Sequence, residues 1–327
     1  MSSDKRSALA PCRNRSILSQ SSDWHGAGIT LHHYQACGFA IHSDLPLPMP
    51  VAGADGTGTS LAIRQTGAID QGGDAIGPFA TAGDRWINFT VPGLVRFHIC
   101  RERGIAYQPA NSADDASIAS FVINSALPCA AMLAGLTTLR GASVATDAGA
   151  ILLIGPTAAG KSAVAAELAR RGMEVLSDHV ALVSDDAKTL PGIPTLTLPR
   201  DCAHSAGLDI AALQRSRPGL ERFHCPQALP EQSYRPVSAI YQLLVHTAQD
   251  VEIADIKGAE RLSVLRNCAV RSLDLQRFGH NTALLARTAA LSAQCRFRRV
   301  RRPVKDMSVE SYADHILQDL VIAGATE

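Results

Sequence analysis

Residues 150–172 read AILLIGPTAAGKSAVAAELARRG. The octet Gly155-Pro156-Thr157-Ala158-Ala159-Gly160-Lys161-Ser162 inside this stretch fits G-x-x-x-x-G-K-[ST], the phosphate-binding P-loop. The pattern is permissive, so its flanks decide the reading. Ala150 to Ile154 is a short uncharged apolar run, the texture of a buried strand. Behind the loop, Ser162 to Arg171 is dense in Ala, Leu and Glu, and Gly172 stands where a helix would stop.

Strand, loop and helix in this order make a device for binding phosphate. Gly155 and Gly160 permit backbone turns that a side chain would forbid. Several N–H groups then converge beside the positive end of the following helix. Residues Gly155 to Ala163 would cradle the phosphates, with Lys161 on the outer ones and the Ser162 hydroxyl on Mg²⁺.

The chain has 327 residues, 46% hydrophobic and 19% charged, enough to bury a large core in one or two domains. Its net charge of +1 argues against bulk nucleic-acid binding. Eight scattered cysteines form no C-x-x-C pair, which points to reduced thiols, and His204 and His224 lack zinc-site spacing to them. Residues 1–22 have no apolar segment of secretory type, and the location expected is cytoplasmic. Ala116 to Leu139 carries no charge over a length that could span a bilayer, but its Ser, Asn, Thr and Pro content favours a core helix and no membrane association.

Composition divides the chain into a polar tail over 1–28, a small antiparallel β-rich domain over 29–110, and the P-loop domain over 111–327. In the last part, Asp114 and Asp115 suit a helix start, and Pro128 would kink or split the uncharged helix. Strands are expected at 174–179, 180–183, 195–198 and 238–247, and helices at 204–216, 259–273, 281–294 and 309–322.

Asp178 follows Lys161 by one helix and one strand, so it belongs on a strand near the P-loop strand, able to hold Mg²⁺ or take a proton from an attacking hydroxyl. His179 could shuttle a proton or simply pack. Arg140 could reach a phosphate oxygen or close a helix end. The basic run Arg296 to Lys305 reads either as a grip on acidic groups or as an amphipathic edge strand with Phe297 and Val300 tucked in.

Gly155 to Ser162 with AVAAELARRGMEVLSDHVALVS (Ala163 to Ser184) resembles the C-terminal domain of HPr kinase/phosphorylase, and more closely the HPr-kinase-like proteins of lasso-peptide and related ribosomal-peptide gene sets. Tyr34 to Pro50, Leu190 to Pro194, Pro236 to Tyr241 and Arg301-Arg302-Pro303 are similar to those proteins in the same order. The resemblance implies an α/β fold with a phosphoenolpyruvate-carboxykinase-like P-loop kinase domain behind the β-rich N-terminal domain. It implies ATP and Mg²⁺ as cofactors and a peptide or small protein carrying a serine as partner, and a homo-oligomer is compatible with it. Asp178 then falls on the catalytic acid, Lys161 on the phosphate-binding position, and Ser162 with Asp178 on the metal position. Two positions depart from the pattern: His179 replaces a second acid, and Arg140 replaces a histidine before the P-loop strand.

Three activities follow as expectations. The first is an ATP-dependent serine kinase acting on a peptide or small protein, with Lys161, Asp178, His179 and Arg140 in or beside the catalytic group. The second is a small-metabolite P-loop kinase, against which the N-terminal domain weighs. The third, motivated by His179 and Arg140, is a nucleotide-binding recognition module with an impaired active site.

Overall fold

The computed structural model describes residues 30–54, 56–70, 72–270, 280–305 and 307–324, so the tail read over 1–28 lies outside the described residues. The fold is mixed α/β with two large sheets. The first sheet contains β1 (His32–Ala36), β2 (Phe39–Ser43), β3 (Thr59–Gln65), β4 (Asp74–Gly77), β5 (Ala80–Ala82), β6 (Trp86–Val91), β7 (Val95–Cys100) and β8 (Gly104–Pro109), in the order β1-β2-β3-β8-β7-β6-β5-β4. It is not purely antiparallel as its punctuation suggested, because β3 runs parallel to both β2 and β8. Residues 44–58 are a connection long enough for that crossover, and they bury Leu45, Leu47 and Met49 on the way.

The uncharged stretch forms α1 (Asp115–Phe121), a π-helical turn at Val122–Ala126, and α2 (Leu127–Leu133). Asp114 caps it, accepting from Ser117 N at 2.7 Å. The wide turn lies just ahead of Pro128, which has no N–H to give to a regular ladder. By length and apolarity Asp115–Leu133 could cross a membrane, yet 78% of its apolar window is buried inside the protein.

This helix stops earlier than the run to Leu139 suggested. Gly135 takes φ +102°, its N–H reaches Met132 O, and Leu136 N reaches Ala131 O, a left-handed glycine stop. The chain then enters β9 (Thr137–Thr146), so Arg140 sits in a strand rather than at a helix end.

β10 (Gly149–Ile154), α3 (Lys161–Arg170), β11 (Val175–Ser177), β12 (Val180–Val183) and β13 (Lys188–Leu190) follow. Next come β14 (Thr195–Pro199), α4 (Arg200–Ser205), β15 (Gln214–Arg215) and β16 (Arg222–Pro226). The helix expected at 204–216 is absent: Gly207 takes φ +74°, and Asp209 starts a separate 3₁₀ turn by accepting from Ala211 N. The last part holds β17 (Arg235–His246), β18 (Glu252–Asp255), α5 (Glu260–Cys268), α6 (His280–Gln294), β19 (Arg296–Pro303) and α7 (Val309–Gly324). α5 ends before residue 273 because Ala269 turns extended and Val270 N bonds Thr138 O, pulling the chain onto β9; residues 271–273 lie outside the described residues.

In the second sheet, pairing closes a ring β10-β9-β12-β13-β17-β10, and β19 and β18 extend it. β19 lies between β17 and β18, so the basic run is an interior strand, not an edge. β10 is buried on both faces. Leu152 and Ile154 join the core shared with the first sheet and α1–α2, while Ile151 and Leu153 join the core under α3 and α7. A strand carrying two cores has no polar alternation, which is why it reads as a continuous apolar run.

Acid acts on this core through histidines held neutral. Burial pushes His98 and His224 from an ordinary 6.5 down to about 4. The unfolded chain therefore binds more protons than the folded one between those values, and stability falls as pH falls through that window. Each residue should remove about 2 kcal/mol at pH 5 relative to pH 8. Urea melts across this range test it; melts that do not change with pH would contradict the burial of both rings in neutral form.

Candidate functional site

The P-loop backbone alternates its handedness. Gly155, Ala158 and Gly160 have φ of +144°, +66° and +99°, the last as N-cap of α3. Ala158 was not foreseen as a left-handed position, and an alanine there costs about 1–2 kcal/mol. A Cβ on Gly155 would lie 2.4 Å from Leu243 O in the neighbouring strand β17. Gly155 is thus required by close approach as well as by its dihedral. The first N–H groups of α3 have no intrahelical acceptor, an arrangement that can receive an anion.

Pro156, Thr157 and Ala158 line the exposed outside of the loop, while Ala159 is buried beneath it and Ala163 is half-buried in the first turn of α3. Lys161 Nζ donates to Pro156 O at 2.7 Å, so the ammonium already lies across the loop. Burial depresses its pKa below the ordinary 10.5, with Arg140 and Arg222 adding to the depression while Asp178 and Cys268 oppose it. Arg140 also acts electrostatically on Cys268, so it belongs to the same neighbourhood as Lys161.

Asp178 stands at the end of β11, one strand from β10 through β9. It is 1% exposed. Its Oδ1 accepts from the Ser162 hydroxyl at 2.9 Å and its Oδ2 accepts from Thr197 N at 3.1 Å. Serine and aspartate, sixteen residues apart in the chain, are thereby brought together at the loop. Asp178 N bonds Ile193 O, and Val180 N bonds Asp178 O at 2.8 Å, making a γ-turn around His179 at φ +68°. That is the strained, positive-φ form of the turn, and such strain gathers at functional sites.

The turn is stitched from below. Ser177 Oγ donates to Val180 O at 2.6 Å and accepts from Ile193 N at 2.8 Å. The 191–195 segment is fastened in turn to the first sheet, by Cys37 N to Pro191 O and by Thr195 Oγ1 to Pro48 O at 2.7 Å. The N-terminal sheet therefore buttresses the acid.

His179 does not point at the loop as a lone shuttle. Its Nε2 lies 2.7 Å from Thr197 Oγ1, which lies 3.0 Å from His224 Nδ1, and it is 3.7 Å from Asp178 Oδ2. Burial is the largest influence on the His179 pKa and lowers it, Arg222 and Lys161 lower it further, and Asp178 opposes. With both rings held neutral, the threonine hydroxyl can donate to one imidazole and accept from the other, the direction being set by the two tautomers.

Thr197, His224 and Ser177 were missed in the sequence. His224-Cys225 reads in the sequence only as half of a zinc pattern, and no alternation along β16 marks His224, since Phe223, His224 and Cys225 are all buried. Comparison with family models and with curated proteins returned no match.

The two loop glycines should respond differently to alanine. A Cβ on Gly160 has only ordinary contacts, 3.5 Å from Tyr312 Cε1, so Gly160→Ala bears mainly dihedral strain of about 1–2 kcal/mol. Gly155→Ala must also push β17 off β10 and should cost about 3 kcal/mol or more. Thermal melts of the two variants rank them; equal losses would contradict the packing described.

Proposed function

We propose that the chain is a cytoplasmic Mg²⁺-ATP-dependent kinase that phosphorylates a serine hydroxyl on a peptide or small protein, using a phosphoenolpyruvate-carboxykinase-like P-loop domain. The observation that carries this reading is the Ser162–Asp178 contact at 2.9 Å beneath a left-handed glycine loop. It couples the P-loop hydroxyl to an acid, the pair needed at a nucleotide-bound metal.

The donor set fits Mg²⁺, which takes hard oxygen ligands, keeps several waters and needs only one or two carboxylates besides the phosphates. Ser162 Oγ and an Asp178 oxygen would hold it. When bound, the ion neutralises charge that develops on the phosphoryl oxygens. The backbone from Gly155 to Ala163 binds and orients the phosphates. Lys161 exchanges its contact with Pro156 O for a phosphate oxygen, and Arg140 adds positive charge nearby. Asp178 accepts the proton of the serine hydroxyl as the new O–P bond forms and the bond to the departing nucleotide breaks. Its Oδ2, already fixed by Thr197 N, keeps the carboxylate in one orientation during this exchange. Among the described residues six cysteines are buried, which suits a reducing cytoplasm.

A second reading is a nucleotide-binding module without transfer. The observation in its favour is that both Asp178 oxygens already have partners and that His179 stands where a second acid would add charge. The two readings part in one assay with labelled ATP, Mg²⁺ and candidate serine peptides. For a kinase, Asp178→Asn lowers transfer about 10²–10³-fold, while Lys161→Ala removes both binding and transfer. ATP binding that needs Lys161, with no transfer to any serine peptide, would establish the module instead; no ATP binding at all would refute both.

A further inference from the structure

The basic run is not uniform. Arg298 is paired with Asp255 at 2.5 Å and with Asp319, Arg299 with Glu260 at 2.7 Å, and Arg301 with Glu252 at 3.2 Å. Arg302, by contrast, has no carboxylate partner among the described residues. Its Nη1 donates to the neighbouring Pro303 O at 2.9 Å, and its Cζ lies 5.8 Å from the Tyr312 ring centroid.

Its position gives this uncompensated charge a use. β10, β17 and β19 are parallel neighbours, so their carboxyl ends lie on one side of the sheet. The P-loop springs from the end of β10, and Arg302 is the penultimate residue of β19. Ligands of parallel sheets gather at that end. A Cβ on Gly160 would lie 3.7 Å from Arg302 Nε and 3.5 Å from Tyr312 Cε1, so guanidinium and ring both abut the loop. Tyr312 is 2% exposed, its hydroxyl has no hydrogen-bond partner among the described residues, and it forms a rigid wall for the arginine. Of the other β19 arginines, Arg298, Arg299 and Arg301 are spent on ion pairs, and Arg296 donates to the backbone oxygen of Asp319. The guanidinium beside Gly160 has, among the described residues, only the Pro303 carbonyl as a hydrogen-bond partner.

We propose that Arg302 is a phosphate-binding residue, held by Tyr312 at the Gly160 side of the P-loop to contact the terminal phosphate of a nucleoside triphosphate. The proposal rests on the nucleotide-binding reading above and adds a residue from the far end of the chain to that site. A planar guanidinium is suited to this, since it presents several donors in a fixed fork to phosphate oxygens and stacks on an aromatic ring at the same time. A contact to the terminal phosphate is one that a diphosphate cannot make, so it should discriminate triphosphate from diphosphate.

Isothermal titration of the full chain with Mg²⁺-ATP and Mg²⁺-ADP tests it. Arg302→Ala should weaken ATP about tenfold or more and ADP much less, reducing the preference between them. Arg302→Lys, which keeps the charge should the alanine variant lose structure, should retain part of that preference. ATP preference unchanged in Arg302→Ala, or lost equally in both variants, overturns the proposal while leaving the P-loop reading intact. Failure of the unaltered chain to bind either nucleotide removes both.

Discussion

The hydrogen bond from Ser162 to Asp178 is the contact on which the rest of the site is arranged. It joins the start of α3 to the turn after β11, two segments that no backbone pairing connects directly. For it to form, β9 must lie between β10 and β11, the γ-turn must hold Asp178 inward, and the 191–195 segment must support that turn. A buried carboxylate without partners is costly. Here two donors satisfy it, so the acid stays in place at little net expense and its position is single-valued.

That requirement explains features far from the loop. The ring of strands in the second sheet keeps β10 and β17 parallel, and only a glycine at 155 lets β17 approach so closely. Ser177 ties the γ-turn to the 191–195 segment, and Gly192 leaves room for it, since a Cβ there would lie 2.2 Å from the Ser177 hydroxyl. The first sheet reaches the same segment through Cys37 and Thr195. Sequence, packing and site are linked by one chain of short contacts running from the N-terminal sheet to the acid.

Much of this was legible beforehand where the signal is local. The P-loop octet, the apolar strand before it and the helix behind it are all encoded within 150–172, and the short strand ending at Asp178 follows directly. Other parts were not, for physical reasons. The uncharged run over 116–139 hides a helix-to-strand change, because buried helices and buried strands share apolar composition; Gly135 was the one mark of the boundary. The same holds for 204–216, where Gly207 ends one short helix. The mixed direction of the first sheet depends on which strands become neighbours, which composition does not carry. Thr197, His224, Arg302 and Tyr312 come to the site through tertiary pairing over long separations, and no local pattern distinguishes Arg302 from the arginines around it.

A double-mutant cycle on Ser162→Ala and Asp178→Asn, reading the Mg²⁺ dependence of ATP affinity, tests the Ser162–Asp178 pairing most directly. If the two side chains act together on a nucleotide-bound ion, either substitution alone removes most of the Mg²⁺ effect, and the pair removes little more, with a coupling of about 1–3 kcal/mol. Strictly additive losses, or an ATP affinity that Mg²⁺ does not alter in the unaltered chain, would contradict it.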